Sequence, residues 1–157
     1  MSTRRLKILA MLIVAAGVLG MGRKEAKNQE APPASISGVT GKVEIWEGNF
    51  MPMIDKDKRD KQITPGAGLR VRLHEAVKGL PGASVDSISA PIVAETVCDD
   101  KGKFTIPCPE GTYSLFVEDG DTWYANGWNG EGVQGAVVVE PKKMTEVLIK
   151  NTRKATF

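Results

Sequence analysis

From residue 36 to the C-terminus the apolar side chains recur at every second position, and that period leaves little room for anything but β-strands. Val39, Gly41, Val43 and Ile45 alternate with Thr40, Lys42 and Glu44. Leu69, Val71 and Leu73 alternate with Arg70, Arg72 and His74. Tyr113, Leu115 and Val117 alternate with Ser114, Phe116 and Glu118, and Val147 and Ile149 with Glu146, Leu148 and Lys150. Successive strand side chains point to opposite faces, so alternation of this kind marks a half-buried strand. Residues 91–98, 103–106 and 135–139 are further β-rich runs, and residues 122–125 a short one. Turn residues separate the runs: Asp99-Asp100-Lys101-Gly102, Pro109-Glu110-Gly111, Asp119-Gly120 and Asn129-Gly130. No window of helical length carries an apolar face of period 3.6. The pattern predicts an all-β fold of seven to eight short strands, a sandwich or a barrel. One long polar loop, residues 47–67, separates the first two strands and carries a charged run from Asp55 to Lys61.

The N-terminus reads differently. Arg4, Arg5 and Lys7 precede an uncharged apolar run, residues 8–21, with Gly20 and Gly22 as cleavage positions. This is the layout of an export signal over residues 1–22. The run is shorter than the ~20 apolar residues of a spanning helix. The alternative is an uncleaved N-terminal membrane anchor. Met21 stands where a lipobox has its cysteine, which argues against a lipid anchor. Residues 23–35 are polar, contain Pro32-Pro33 and read as a flexible linker. Residues 36–157 then form one domain, long enough for a core of its own. The chain has 21 basic and 19 acidic residues, and three of the basic ones lie in the signal. The remainder is close to neutral and offers no electrostatic case for nucleic acid.

Cys98 and Cys108 are the two cysteines. An oxidising compartment permits a disulfide between them. If Asp99–Gly102 closes a tight hairpin, Cys108 lies about 16 Å beyond the residue that faces Cys98, too far to bridge. If the chain instead crosses between sheets here, the pairing stays open.

Several local patterns occur in a familiar order: Ser37-Gly38-Val39-Thr40-Gly41-Lys42-Val43, the basic-apolar run 69–74, Asp100-Lys101-Gly102-Lys103-Phe104, Pro109-Glu110-Gly111-Thr112-Tyr113 and a closing apolar strand. Together they resemble the carboxypeptidase regulatory-like domains over roughly residues 36–151. Gly48-Asn49-Phe50-Met51-Pro52, Tyr124-Ala125-Asn126 and Asn129-Gly130 resemble the small bacterial envelope proteins that consist of this one domain. The resemblance implies a Greek-key β-sandwich of the transthyretin (prealbumin) type, preceded by the signal helix. It implies no peptidase activity, because in metallocarboxypeptidases this domain sits beside the catalytic one.

The residues offer no catalytic set. His74 is the one histidine, placed by alternation on the polar side of its strand and expected to be exposed. A zinc peptidase needs several ligands and a general base. A transthyretin-like hydrolase of the urate pathway needs several histidines, and this chain has one. Asp55, Asp57 and Asp60 lack the glycine and the bidentate glutamate of a calcium loop, and Lys56, Lys58, Arg59 and Lys61 stand among them. No nucleophile elbow or phosphate-cradling loop occurs. The expectation is no enzyme, no cofactor and no metal.

One cluster has binding character. Trp123, Tyr124, Asn126, Trp128 and Asn129 lie among Gly127, Gly130 and Gly132. Aromatic rings stack on sugars or grip a partner, and amides hydrogen-bond hydroxyls or backbone. These five are the candidate ligand-binding residues. The competing reading puts Trp123 or Tyr124 in the core and leaves Trp128 covering a loop. Trp46 is expected at the edge of the core. The function expected is a non-catalytic exported binding or structural module of the bacterial envelope, in the periplasm or at the cell surface. Its partner would be an envelope protein, a peptide or a glycan, met through exposed strand edges or the aromatic loop. The alternative is a carbohydrate-binding module using Trp123, Tyr124 and Trp128, and the remote one a small hydrolase.

Overall fold

A computed structural model describes residues 36–52 and 54–157. The readings of residues 1–22 as a signal and 23–35 as a linker lie outside the described residues. The elements run β1 (Gly38–Asn49), α1 (Lys56–Asp60), β2 (Ile63–Pro65), β3 (Arg70–Glu75), β4 (Ser84–Val85), β5 (Ile92–Val97), β6 (Lys103–Pro107), β7 (Gly111–Asp119), β8 (Thr122–Tyr124), β9 (Ala136–Val139) and β10 (Met144–Thr156). They form two sheets stacked as a sandwich. The eight strand runs read from the sequence are all present, and β2 and β4 bring the number among the described residues to ten. Single-turn helix α1 lies where a polar loop was expected. Asp55 caps it, accepting from Asp57 N at 2.8 Å.

Each sheet is organised by one long strand that two shorter strands share. In the first sheet β1 pairs in parallel with β10 from Gly38↔Met144 to Asn49↔Thr156. Its other edge is taken in succession by β6, over Gly38–Lys42, and by β2, over Glu44–Trp46. In the second sheet β7 pairs with β3 along one edge, and β9 and β8 divide the other. β4 flanks β8, and β5 closes the far side against β3.

The alternating residues meet between the sheets. Val39, Val43, Phe104, Ile106 and Ile149 pack from the first sheet against Val71, Leu73, Leu115, Val117, Tyr124, Val137 and Val139 of the second. Burying each such aliphatic side chain is worth about 1.5–3 kcal/mol. The described residues thus contain a core of their own.

The turn at Asp99–Gly102 carries the chain from the second sheet to the first. The Asp99 carboxylate accepts from Lys101 N at 2.9 Å and Lys103 N at 2.8 Å. Gly102 has φ +74°, and its carbonyl accepts from Val43 N at 2.8 Å. A Cβ there would stand 2.6 Å from Val43 O, so only glycine allows this turn to dock on β1. Phe104 follows at 1 % exposure, as an anchor should. Tyr113 is half-buried, and its hydroxyl donates to Pro109 O at 3.0 Å. Cys98 and Cys108 are both buried and unpaired.

A second apolar cluster covers the outer face of the second sheet. Segment 76–91 folds across that face, so Val77 and Val85 pack on Phe116, Trp123 and Ala125. This corrects the reading of His74 as an exposed strand residue. It does lie on the outward side of β3, but the covering segment leaves it 1 % exposed. Its Nδ1 is 2.8 Å from Ala90 O and its ring meets Phe116 edge-on at 5.6 Å. A carbonyl only accepts, so the proton of that bond belongs to Nδ1. Trp46 also differs from expectation. Its indole N–H donates to Glu44 Oε2 at 3.1 Å, on the face of β1 turned away from the core.

Candidate functional site

The five candidate residues lie close in sequence, but the fold gives them different tasks. Trp123 and Tyr124 are neighbours in β8 and therefore point to opposite faces. Tyr124 enters the main core, and its hydroxyl donates to Lys150 O at 3.0 Å, reaching across to the first sheet. Trp123 enters the outer cluster beneath segment 76–91. The Arg72 guanidinium stands 4.1 Å from the Trp123 ring centroid and that of Arg70 5.8 Å. Each arginine is held by a carboxylate, Arg72 by Glu95 and Arg70 by Glu118 at 2.8 Å. The Arg70 hydrogen bonds hold the Glu118 carboxyl below the usual carboxylate range.

The two amides are committed to backbone. Asn126 Nδ2 donates to Leu148 O at 2.8 Å, while Lys150 N donates to Asn126 Oδ1 at 3.2 Å. One side chain thus stands in for a neighbouring strand on the outer edge of β10. Asn126 also lines a cleft of about 170 Å³ between β9 and β10, walled by Leu115, Val137, Val147 and Ile149. Asn129 Oδ1 accepts from Glu131 N at 3.0 Å and Val133 N at 2.9 Å, closing the glycine-rich loop on itself. Trp128 alone among the three aromatics is open to solvent, at 52 % exposure. The structure therefore separates the cluster. Two aromatics build cores, two amides hold backbone, and one indole remains free.

The sequence did not single out the other exposed apolar residues. Ile92, Val93 and Val97 are exposed along β5, a strand that among the described residues pairs on one side only. Their run, 91–98, reads as a strand, but nothing in it announces an edge. A further aromatic group gathers where β1 and β10 end. Phe50 packs on Trp46 at 4.8 Å and on the exposed Phe157 at 5.8 Å, with Lys150 Nζ 5.0 Å from the Trp46 ring.

Among the described residues no group of three or more His, Cys, Asp or Glu side chains is placed to hold a metal ion. No helix among them is long and apolar enough to cross a membrane.

No family model matches the chain, and no curated protein matches it. Among solved structures it is similar to the N-terminal domain of the shaft pilin spaA from Lactobacillus rhamnosus GG. The identity is 17 %, the match covers 76 % of this chain and 98 % of that one, and the TM-score is 0.41.

Proposed function

We propose that this chain is a non-catalytic, exported binding or structural module of the bacterial envelope, built on a sandwich of the carboxypeptidase regulatory-like type. One observation carries the reading: among the described residues strand β5 has an edge that no other strand pairs, with apolar side chains in solvent, Ile92 at 51 % and Val97 at 52 % exposure. Unpaired strand edges recruit other strands through their free N–H and C=O groups. Polar side chains that a catalyst would need free are instead spent on the fold, as at Tyr124, Asn126 and Asn129. Export rests on Arg4, Arg5, Lys7 and the apolar run that follows.

The test is site-specific photo-crosslinking in the full chain, produced in a bacterial host. A photoreactive residue at position 97 should give protein adducts in the envelope or periplasmic fraction. The same residue at Lys101, on the adjoining turn, should give none. Retention of the chain in the cytoplasm rejects export, and equal adducts at both positions, or none, reject the edge.

Trp128 supports a second reading, a glycan platform, because one free indole suffices to stack on a pyranose ring. Tryptophan fluorescence titrated with glycans and peptidoglycan fragments reads this directly. A saturable shift that Trp128→Ala abolishes makes the loop a sugar site, and silence across the panel removes it.

A further inference from the structure

We infer that the partner of the β5 edge is a second copy of β5, paired antiparallel about a two-fold axis at Thr96. This rests on the reading of β5 as a binding edge and adds its occupant.

The described sheet edges differ in how they are protected. On the outer edge of β10, Leu148 O, Lys150 N and Lys150 O are already taken by Asn126 and Tyr124 side chains. β2 has three residues and ends in Pro65, β4 has two, β6 ends in Pro107, and β9 has four, with Val138 O taken by the Thr145 hydroxyl at 2.7 Å. Short length, proline and side-chain plugs are the usual guards of an edge. β5 has none of them: six residues, Ile92–Val97, contain no proline and no lysine.

Its free groups can be assigned. Cys98 N donates to Leu69 O, so Cys98 faces β3. Antiparallel pairing alternates, so Thr96 also faces β3, while the N–H and C=O of Glu95 and Val97 point to the open side. The register to β3 shifts between Leu73 and His74, which ends the regular edge near Val93.

The charge pattern selects the occupant. Glu95 is the one charge in β5, and Arg72 of the same chain pairs it. Asp99, just beyond, spends its carboxylate on Lys101 N and Lys103 N. The edge thus carries no net charge and is mostly apolar, and a strand of the same character suits it. β5 itself meets that requirement. The two-fold registers centred on the regular edge run from Ala94 to Val97, and an axis at Val97 sets Glu95 against Asp99, like charge against like. An axis at Glu95 sets two carboxylates face to face, which is unfavourable. An axis at Ala94 sets Pro91, with no N–H, against Val97. An axis at Thr96 pairs Glu95 with Val97 twice, uses every open N–H and C=O of both residues and sets Thr96 against Thr96. One strand pair this short gives an interface at the small end of the usual range, so the dimer is weak and concentration-dependent.

The register makes two tests. Thr96 would sit in a non-hydrogen-bonded pair with Cα atoms about 4.5 Å apart, within disulfide reach. Full-chain Thr96→Cys, oxidised mildly in the producing cells, should run as a dimer on a non-reducing gel. Val138→Cys, 57 % exposed away from β5, reports random collision and should not. The second test is charge. On the Thr96→Cys background, Val97→Glu places like charges opposite Glu95 twice and should lower the dimer yield about tenfold, whereas Val97→Lys should preserve it. Far-UV circular dichroism of each variant checks that the sandwich is retained. Sedimentation of the unmodified chain should show a dimer that grows with concentration. A Thr96→Cys yield no greater than that of Val138→Cys, or equal loss with Val97→Glu and Val97→Lys, overturns the proposal. Adducts from position 97 heavier or lighter than two chains overturn self-pairing while leaving the envelope-module reading in place.

Discussion

Arg72 lies between Glu95 and Trp123, paired to the carboxylate of one and 4.1 Å from the ring centroid of the other. The contact joins β5, β3 and β8 across the outer face of the second sheet. It also explains why a tryptophan that reads as a binding residue is buried. A guanidinium over an indole face and the covering segment 76–91 together exclude water from it.

Trp123→Ala should therefore behave as a core truncation, costing about 3–5 kcal/mol in urea unfolding. Trp128→Ala should stay within about 0.5 kcal/mol of the parent, since its ring is half in solvent. Equal costs for the two would show that the fold does not divide the cluster as described.

Asn126 completes the unpaired side of β10 with its own amide. Asn126→Ala should cost about 1 kcal/mol, the net worth of such hydrogen bonds. The Lys150 amide, which donates to Asn126 Oδ1, should lose hydrogen-exchange protection. Asn126→Asp keeps that acceptor but sets an oxygen against Leu148 O. It should preserve the protection of Lys150 while still lowering stability.

The strands were legible because a half-buried strand writes its period into the sequence. β2 and β4, with three and two residues, are too short to show any period. The parallel pairing of β1 with β10 joins residues about a hundred positions apart and leaves no local mark. His74 shows where alternation ends as a guide. It specifies the face of a strand, but whether that face is wet depends on segment 76–91, which has no period of its own. The site was legible in part. Asn129 before Gly130 is a local turn signal, and its carboxamide oxygen does close that turn. Asn126 reaches a strand 22 residues away, and nothing near it in sequence announces the partner. The exposure of β5 was invisible for the same reason, since being an edge is a property of the whole sheet.

The Arg70–Glu118 pair sets an acid limit. Its hydrogen bonds lower the folded carboxyl pKa, so the stabilisation is present above the unfolded glutamate value of about 4.3 and is lost as pH falls through the depressed folded value. The melting-temperature difference between the parent and Glu118→Gln should be largest near neutral pH and close progressively below about pH 4. A difference constant down to the acid limit would mean that the pair does not couple to folding.

Cys98 sets the opposite limit. Burial, helped by the neighbouring Asp99 carboxylate, pushes its thiol up to about 11. A thiol with a raised folded pKa contributes stability that is complete below its unfolded value of about 8.5 and is lost as pH climbs towards about 11. Stability should therefore decline across that alkaline window, and Cys98→Ala should flatten the decline at the expense of a small cavity. The thiolate is the nucleophile, so alkylation by iodoacetamide at pH 8 should be slow at Cys98 and also at Cys108, whose pKa burial raises. Both should become reactive together in denaturing urea. Rapid alkylation of the native chain at either position would place that thiol in solvent and contradict its burial in the sandwich core.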